Sequence, residues 1–90
     1  MAVKWIHLKA KSGSELALKT CLEELSVASN QEEGCTEYRV FQDKADFYVL
    51  EQYVSPEALD VHKASDHFVK AKSAFSDLVE DKSSQELEEL

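Results

Sequence analysis

Glycine and proline are scarce in this sequence, which has two glycines and one proline among 90 residues. The chain therefore has no glycine-rich loop that could cradle phosphate groups, and no flavin or nicotinamide cofactor is expected through the usual fingerprint. A Gly-x-Ser-x-Gly motif is also missing, so the nucleophile elbow of a serine hydrolase is not expected.

Long hydrophobic runs are missing as well. No apolar run approaches the ~20 residues that a membrane-spanning helix needs, and the first residues lack the basic and apolar regions of a signal peptide. The two cysteines, Cys21 and Cys35, have neither metal-binding nor redox-motif spacing. We therefore expect a cytoplasmic protein with two reduced thiols.

Positive charge is in short supply. Ten basic residues face 18 acidic ones, which gives a formal net charge of −8, and the bases are scattered along the chain. Such a surface repels a phosphate backbone, so no nucleic-acid partner is expected. Six acids and one lysine lie within 76–90. We interpret this stretch as an acidic C-terminal segment of a single domain spanning 1–90.

Period-two alternation of side chains predicts three strands. The first covers 2–10, and the next two, at 35–42 and 47–54, are joined by a short polar loop as a hairpin. After Lys82 the pattern fades, and the sequence leaves open whether a last strand forms there.

Helical spacing of apolar residues predicts three helices, at about 14–29, from 56 to about 64, and from 65 to about 79. Each has a serine near its start. Ser12 stands three residues before Glu15, as in a capping box, and Ser55-Pro56 and Ser65-Asp66 are typical starts of the later helices.

This order of elements predicts an α+β fold, a ferredoxin-like split βαβ sheet with helices on one face. We expect the other face to carry apolar residues that are unsuited to water, namely Trp5, Tyr38, Val40, Phe47, Val49 and Tyr53. Pairing two sheets would bury them, with about 25 cal/mol per Å² of apolar area. A chain this small is not expected to enclose a roomy site alone. We therefore expect a homodimer, a dimeric α+β barrel with a shared interior.

Glu51 is the unusual residue of the third strand. It shares a face with Phe47, Val49 and Tyr53, where a carboxylate would be desolvated unless it is paired. Either it is hydrogen-bonded to a histidine or to backbone amides near the rim of the sheet, or it handles protons in a mostly apolar pocket.

The histidines are the other candidates for chemistry. His62 and His67 bracket the junction of the last two helices, and their five-residue spacing does not place them on one helical face, so no metal site is expected. Each is either a solvated or capping residue or, near a pocket, a general base at neutral pH. His7, beside Trp5, is a weaker candidate. The aromatic residues are either core or pocket wall.

Three segments of the sequence resemble the antibiotic biosynthesis monooxygenase (ABM) family. They are the E-G-C element at 33–35, the E-x-Y element at 51–53 and the H-x-x-S-x-H-F element at 62–68, in the family's order. The likeness spans roughly 3–80. The resemblance implies a dimeric α+β barrel. Some members of the family oxidise aromatic polyketides or hydroquinones with O2 and without flavin, haem or metal. It thus implies a monooxygenase without a cofactor, acting on a small aromatic or quinol-like compound.

The resemblance also implies roles for single residues. Glu51, Tyr53, His62 and His67 match the family's pocket positions. We expect His62 to be the base, Glu51 and His67 to orient it, and Tyr53 to hydrogen-bond the substrate. The expected substrate-binding walls are Trp5, His7, Tyr38, Phe47, Val49 and Phe68.

Other branches supply alternatives. The segments 46–53 and 62–68 also resemble an autoinducer-2 phosphate isomerase branch, which moves protons on a phosphorylated dicarbonyl. That branch tends to have a basic C-terminal segment, whereas this one ends in acids such as Glu86. Haem-degrading members bind iron through a histidine at the position of Lys72, so haem is not expected. A non-enzymatic dimer that binds a small ligand is the third alternative, since fold does not fix function.

Overall fold

The computed structural model describes the whole chain, Met1 to Leu90, as four strands and three helices. In chain order they are β1 (Ala2–Ala10), α1 (Glu15–Asn30), β2 (Cys35–Asp43), β3 (Asp46–Tyr53), α2 (Pro56–Lys63), α3 (Asp66–Leu78) and β4 (Val79–Leu87). The strands form one antiparallel sheet in the order β2-β3-β1-β4. This is the predicted ferredoxin-like α+β fold. None of the helices is long and apolar enough to cross a lipid bilayer.

The acidic C-terminal segment forms the edge strand β4. It pairs antiparallel with β1, with Lys82 opposite Leu8. The helical pattern predicts a helix that reaches Val79, but α3 ends at Leu78 and Val79 begins the strand. From Glu80 onward every residue of β4 is exposed. This edge strand is held by backbone pairing and is covered on neither face, so its sequence need not alternate apolar and polar side chains. For this reason the period-two pattern fades after Lys82.

Two of the three predicted helix starts are confirmed. The Ser55 hydroxyl accepts a hydrogen bond from the Ala58 N–H (3.1 Å), and Ser65 accepts one from the Phe68 N–H (3.3 Å). The capping box predicted for α1 does not form, because Ser14 is the N-cap and its side chain makes no capping bond. Glu15 accepts instead from the Gly13 N–H, 2.9 Å away.

The sheet buries one face against the helices, and this corrects the predicted faces. The core cluster combines β-strand and helix residues, namely Leu8, Ala10, Leu18, Leu22, Leu25, Tyr38, Phe47, Val49 and Ala71. The predicted bare-face residues Tyr38, Val40, Phe47, Val49 and Tyr53 all lie on this covered side. Alternation separates two sets of side chains but does not say which set meets the helices, and here both sets are apolar.

The opposite sheet face has no helix over it. The cross-strand pairs Trp5–Leu50 and His7–Tyr48 lie there, and Trp5 and His7 both stack on Tyr48, with ring centroids 5.7 and 4.9 Å away. Of the six residues expected on the bare face, only Trp5 lies on it. We call Trp5, Phe41, Tyr48 and Leu50 the outer aromatic face.

Candidate active site

A cavity of about 360 Å³ lies between the sheet and the helices. Its apolar wall consists of Ile6, Leu8, Leu22, Leu25, Val49, Phe68 and Phe75, and Tyr38 and Glu51 are among its polar members. The volume falls in the range of small-molecule sites. The expectation that a chain this small borrows walls from a second subunit stays a prediction, because the lining residues of one chain leave this cavity partly open.

Glu51 is the acidic residue of this wall and is 2% exposed. It points toward the helices because β3 alternates, so that Phe47, Val49 and Glu51 share the covered face. Its Oε1 accepts a hydrogen bond from the Tyr53 hydroxyl at 2.8 Å and lies 3.5 Å from Nε2 of His62. The two interpretations of Glu51 are therefore compatible: it is paired, and it borders the cavity.

The Tyr53 hydroxyl positions Glu51. Burial, and after it the charge of Glu51, raises the pKa of Tyr53 well above its usual value, so the phenol stays protonated and donates. Tyr53 is fully buried and is not part of the cavity wall. Its hydrogen bond to a substrate stays a prediction, and in the structure its hydroxyl donates to Glu51. Tyr38 does line the cavity, and burial followed by Glu51 raises its pKa in the same way.

His62 stands behind Glu51, with 1% of its surface exposed. Its ring lies among Tyr38, Tyr53 and Phe68, with centroid distances of 5.8, 5.2 and 5.1 Å. Nδ1 is 2.7 Å from Oε2 of Glu32, whereas Nε2 has no hydrogen-bond partner. Because a carboxylate only accepts, the bond to Glu32 assigns a proton to Nδ1. In the neutral ring, Nε2 then presents its lone pair to Glu51.

Glu32 is the site residue that the sequence analysis missed. It lies in the connection between α1 and β2, where no periodicity marks it, and its only signal is its place just before the E-G-C element. Its Oε2 is also 2.6 Å from Nε2 of His67. One carboxylate oxygen therefore accepts from two imidazoles. These contacts connect four side chains in series, in the order Glu51, His62, Glu32 and His67. We call these four residues the carboxylate–imidazole network.

The network connects the cavity with the surface. The His67 side chain is 28% exposed and borders a second groove, of about 380 Å³, between α1 and α3. The three contacts along the network measure 3.5, 2.7 and 2.6 Å. Between Glu51 and the solvent, each step of the network offers an ionisable or hydrogen-bonding atom that a proton could occupy.

Glu32, His62 and His67 also offer the donor set of a transition-metal site. Their three ligand atoms lie within 4.8 Å of one another. The two histidines do lie on different helices, as their five-residue spacing predicts, but α2 ends at Lys63 and the turn capped by Ser65 brings both rings to the Glu32 carboxylate. The two short contacts fit hydrogen bonds from N–H groups to a carboxylate oxygen.

The other expected binding residues divide between three places. Tyr38, Val49 and Phe68 line the cavity, and their contact with a substrate stays a prediction. Phe47 is buried in the core. Trp5 and His7 lie on the uncovered side of the sheet, where His7 pairs with Asp46 at 2.7 Å, so neither contacts this cavity.

Comparison with known proteins decides the family. The family model described as antibiotic biosynthesis monooxygenase matches residues 1–74. The chain belongs to this family. No match was found among curated proteins.

Solved structures with the same fold include members of the ABM family. The protein PA3566 from Pseudomonas aeruginosa is 28% identical, with a TM-score of 0.91 over 99% of this chain and 94% of the other. Rv0793 from Mycobacterium tuberculosis is 21% identical, with a TM-score of 0.93 and coverages of 99% and 94%. A structure described as an antibiotic biosynthesis monooxygenase is 21% identical, with a TM-score of 0.92 and coverages of 100% and 99%. The last two show the fold alone.

Gly34, in the E-G-C element that suggested the ABM family, lets the loop that carries Glu32 approach α2. A Cβ atom at Gly34 would lie 2.5 Å from Cβ of Ala58, and the Gly34 carbonyl accepts from the Val54 N–H at 2.9 Å, which fixes the loop to the end of β3. The absence of a side chain at this position thus keeps Glu32 within reach of His62.

Substitution of Gly34 tests this close approach. We expect Gly34→Ala to lower the free energy of unfolding by about 1–3 kcal/mol, measured in urea, because the new methyl group overlaps Ala58. Ala58→Gly removes the overlapping atom. In a double-mutant cycle the double variant should therefore lose less stability than the sum of the two single variants, even though a glycine in α2 itself costs up to about 1 kcal/mol. A Gly34→Ala variant as stable as the parent, or a cycle without coupling, would contradict the account.

Proposed function

We propose that this ABM protein is a cofactor-independent monooxygenase that uses O2 to oxidise a small aromatic or quinol-like compound. The observation that carries the proposal is Glu51, a buried carboxylate in the wall of a mostly apolar cavity, connected by the carboxylate–imidazole network to the surface. Membership of the family supports a monooxygenase-type activity.

The first step is removal of a phenolic proton. Glu51 is the acidic side chain of the cavity wall, so it rather than His62 meets the substrate and takes the proton. Tyr53 holds the accepting oxygen in place through its 2.8 Å bond. We assign to the protonated hydroxyl of Tyr38, also in the wall, a hydrogen bond to the resulting phenolate.

The second step transfers an electron from the phenolate to O2. The resulting phenoxyl radical and superoxide combine to form a carbon–oxygen bond, and protonation of the distal oxygen allows the peroxide O–O bond to break with loss of water. For a hydroquinone, one O2 then gives one hydroxyquinone and one water, which balances atoms and electrons. The protein supplies a base, donors to the anion and a cavity of low polarity.

The network moves the proton away from Glu51 and returns it. Nε2 of His62 is the next acceptor, 3.5 Å from Glu51. The imidazolium that forms is stabilised by Glu32 at Nδ1, in the way a buried carboxylate supports the histidine of a catalytic triad. His67 on the other side of Glu32 is partly exposed and completes the path to solvent.

A second candidate is a proton-transferring isomerase that acts on a dicarbonyl compound. It is favoured by one observation: Glu51 in the cavity wall and His62 behind it form an acid–base pair, suited to taking a proton from one carbon and returning it to the next. The two candidates share the proton-removal step and differ in whether O2 is consumed.

Oxygen uptake distinguishes the candidates. With hydroquinones and anthrone-like phenols, and with metal-stripped protein, we expect uptake above the autoxidation of each substrate. Glu51→Gln should lower this rate by about 10²–10⁴-fold, the usual contribution of a general base. Glu32→Gln should lower the rate less, since it leaves Glu51 in place but weakens the hold on Nδ1 of His62.

Glu33→Gln is the matched control, because Glu33 is adjacent to Glu32 and is not part of the network. Full activity of Glu51→Gln would contradict the assigned base. Protein without uptake that exchanges the hydrogen beside a carbonyl for solvent deuterium would point to the isomerase. Saturable binding with neither reaction would point to a ligand-binding protein.

We further propose that two copies pair through the outer aromatic face. Trp5, Tyr48 and Leu50 lie together on the side of the sheet without helices, and Phe41 is 40% exposed. A contiguous apolar surface of this kind is typical of protein interfaces. A sheet paired with its own copy through this face would bury it on both protomers, as in a dimeric α+β barrel.

Sedimentation tests the pairing. We expect a single species of twice the 10.2 kDa chain mass, and we expect Leu50→Asp to shift it toward the monomer because a carboxylate would be buried in an apolar interface. Val61→Asp, at an apolar residue that is 67% exposed on α2, is the matched control. A parent protein that sediments as a monomer at micromolar concentration would contradict the proposal.

A further inference from the structure

Four lysines surround the cavity that contains Glu51. Lys4 of β1, Lys63 of α2, Lys72 of α3 and Lys82 of β4 all line it, each from a different element. The chain has ten basic residues and 18 acidic ones, yet four of the bases and one of the acids border this cavity. In a protein of net charge −8, this concentrates positive charge around the cavity that the candidate base borders.

None of these lysines is neutralised by an ion pair. The only lysine–carboxylate pair in the structure joins Lys9 and Glu80, at 3.6 Å. Glu86 is opposite Lys4 in the strand register, and Glu80 and Asp81 border the surface between Lys72 and Lys82. None of these acids lies within 4.0 Å of the four lysines. The ammonium groups are available to a ligand.

We propose that the substrate carries an anionic group, a phosphate or a carboxylate, which the lysines bind while its apolar part occupies the cavity. Lysine heads reach water while their stems pack on apolar surface, so they can form a charged rim on an apolar cavity. Ammonium groups bind anions as point charges, so they suit a phosphate and a carboxylate alike. A planar guanidinium would instead favour bidentate geometry. The one arginine, Arg39, pairs with Glu37 away from the cavity.

This proposal rests on the proposed function only in using the same cavity. The negative charge of the acidic C-terminal segment would by itself disfavour a phosphate-bearing substrate. The structure places Lys82 and Ser84 of that segment in the cavity wall, whereas none of the segment's acids lines the cavity. Net charge along the chain therefore does not describe the charge at the site.

Binding of three naphthalene probes tests the proposal. At pH 7 and low ionic strength we expect 1-naphthyl phosphate and 1-naphthoate to bind at least about tenfold more tightly than neutral 1-naphthol. The double variant Lys72→Gln/Lys82→Gln should weaken both anions about tenfold, at a few-fold per exposed lysine, and leave 1-naphthol unchanged. Inorganic phosphate alone shows whether the anionic group binds without its apolar part.

Lys19→Gln/Lys70→Gln is the matched control. It removes the same charge from α1 and α3, and neither residue lines this cavity. Equal binding of all three probes, or an equal loss in the control, would overturn the proposal.

Because Glu51→Gln keeps the four lysines, it should retain anion binding while losing turnover. Anion binding without oxygen uptake would then contradict only the proposed function, and uptake with neutral substrates without anion preference would contradict only this inference.

Discussion

One oxygen atom of Glu32, placed between His62 and His67, is the interaction on which the rest of the site depends. The two imidazole nitrogens lie 2.7 and 2.6 Å from it, although the residues come from a loop and two separate helices. Because Glu32 accepts, it fixes Nδ1 of His62 as the donor and directs Nε2 to Glu51. The buried ring would otherwise be free to present either nitrogen to Glu51.

The site combines groups that are costly to bury singly. Glu51 and His62 are almost fully buried, and an isolated charge or an unpaired polar atom in such a place is strongly destabilising. Tyr53 supplies a donor to Glu51, and Glu32 supplies an acceptor to His62. The pairing leaves one position open, between Nε2 of His62 and Oε1 of Glu51, and that is where the proposed reaction places a moving proton.

Much of the fold could be predicted from the sequence because its signals are local. The order of elements, the serine caps of α2 and α3 and the apolar face of α1 depend on residues a few positions apart. The choice of the covered sheet face depends on tertiary packing. Phe47 and Val49 point to one face of β3, and Tyr48 and Leu50 point to the other. Both pairs are apolar, so alternation alone does not show which face packs against the helices.

The site was predictable only in part, for the same reason. Glu51, His62 and His67 were identified from unusual positions and from the family resemblance. Glu32 is in a connection without periodicity, and its role exists only where Gly34 lets that loop approach α2. The lysines around the cavity are far apart in sequence and lie on four elements. Their convergence is a property of the sheet order and of helix packing, which a count of charges does not contain.

The measurement that tests the central claim most directly is nitrogen-detected NMR of the three histidine rings. The account predicts that His62 is protonated at Nδ1, and that Glu51→Gln changes the shift of Nε2 while Glu32→Gln changes that of Nδ1. A His62 ring protonated at Nε2 with a bare Nδ1, or a ring that does not respond to Glu32→Gln, would contradict the claim that Glu32 organises this site.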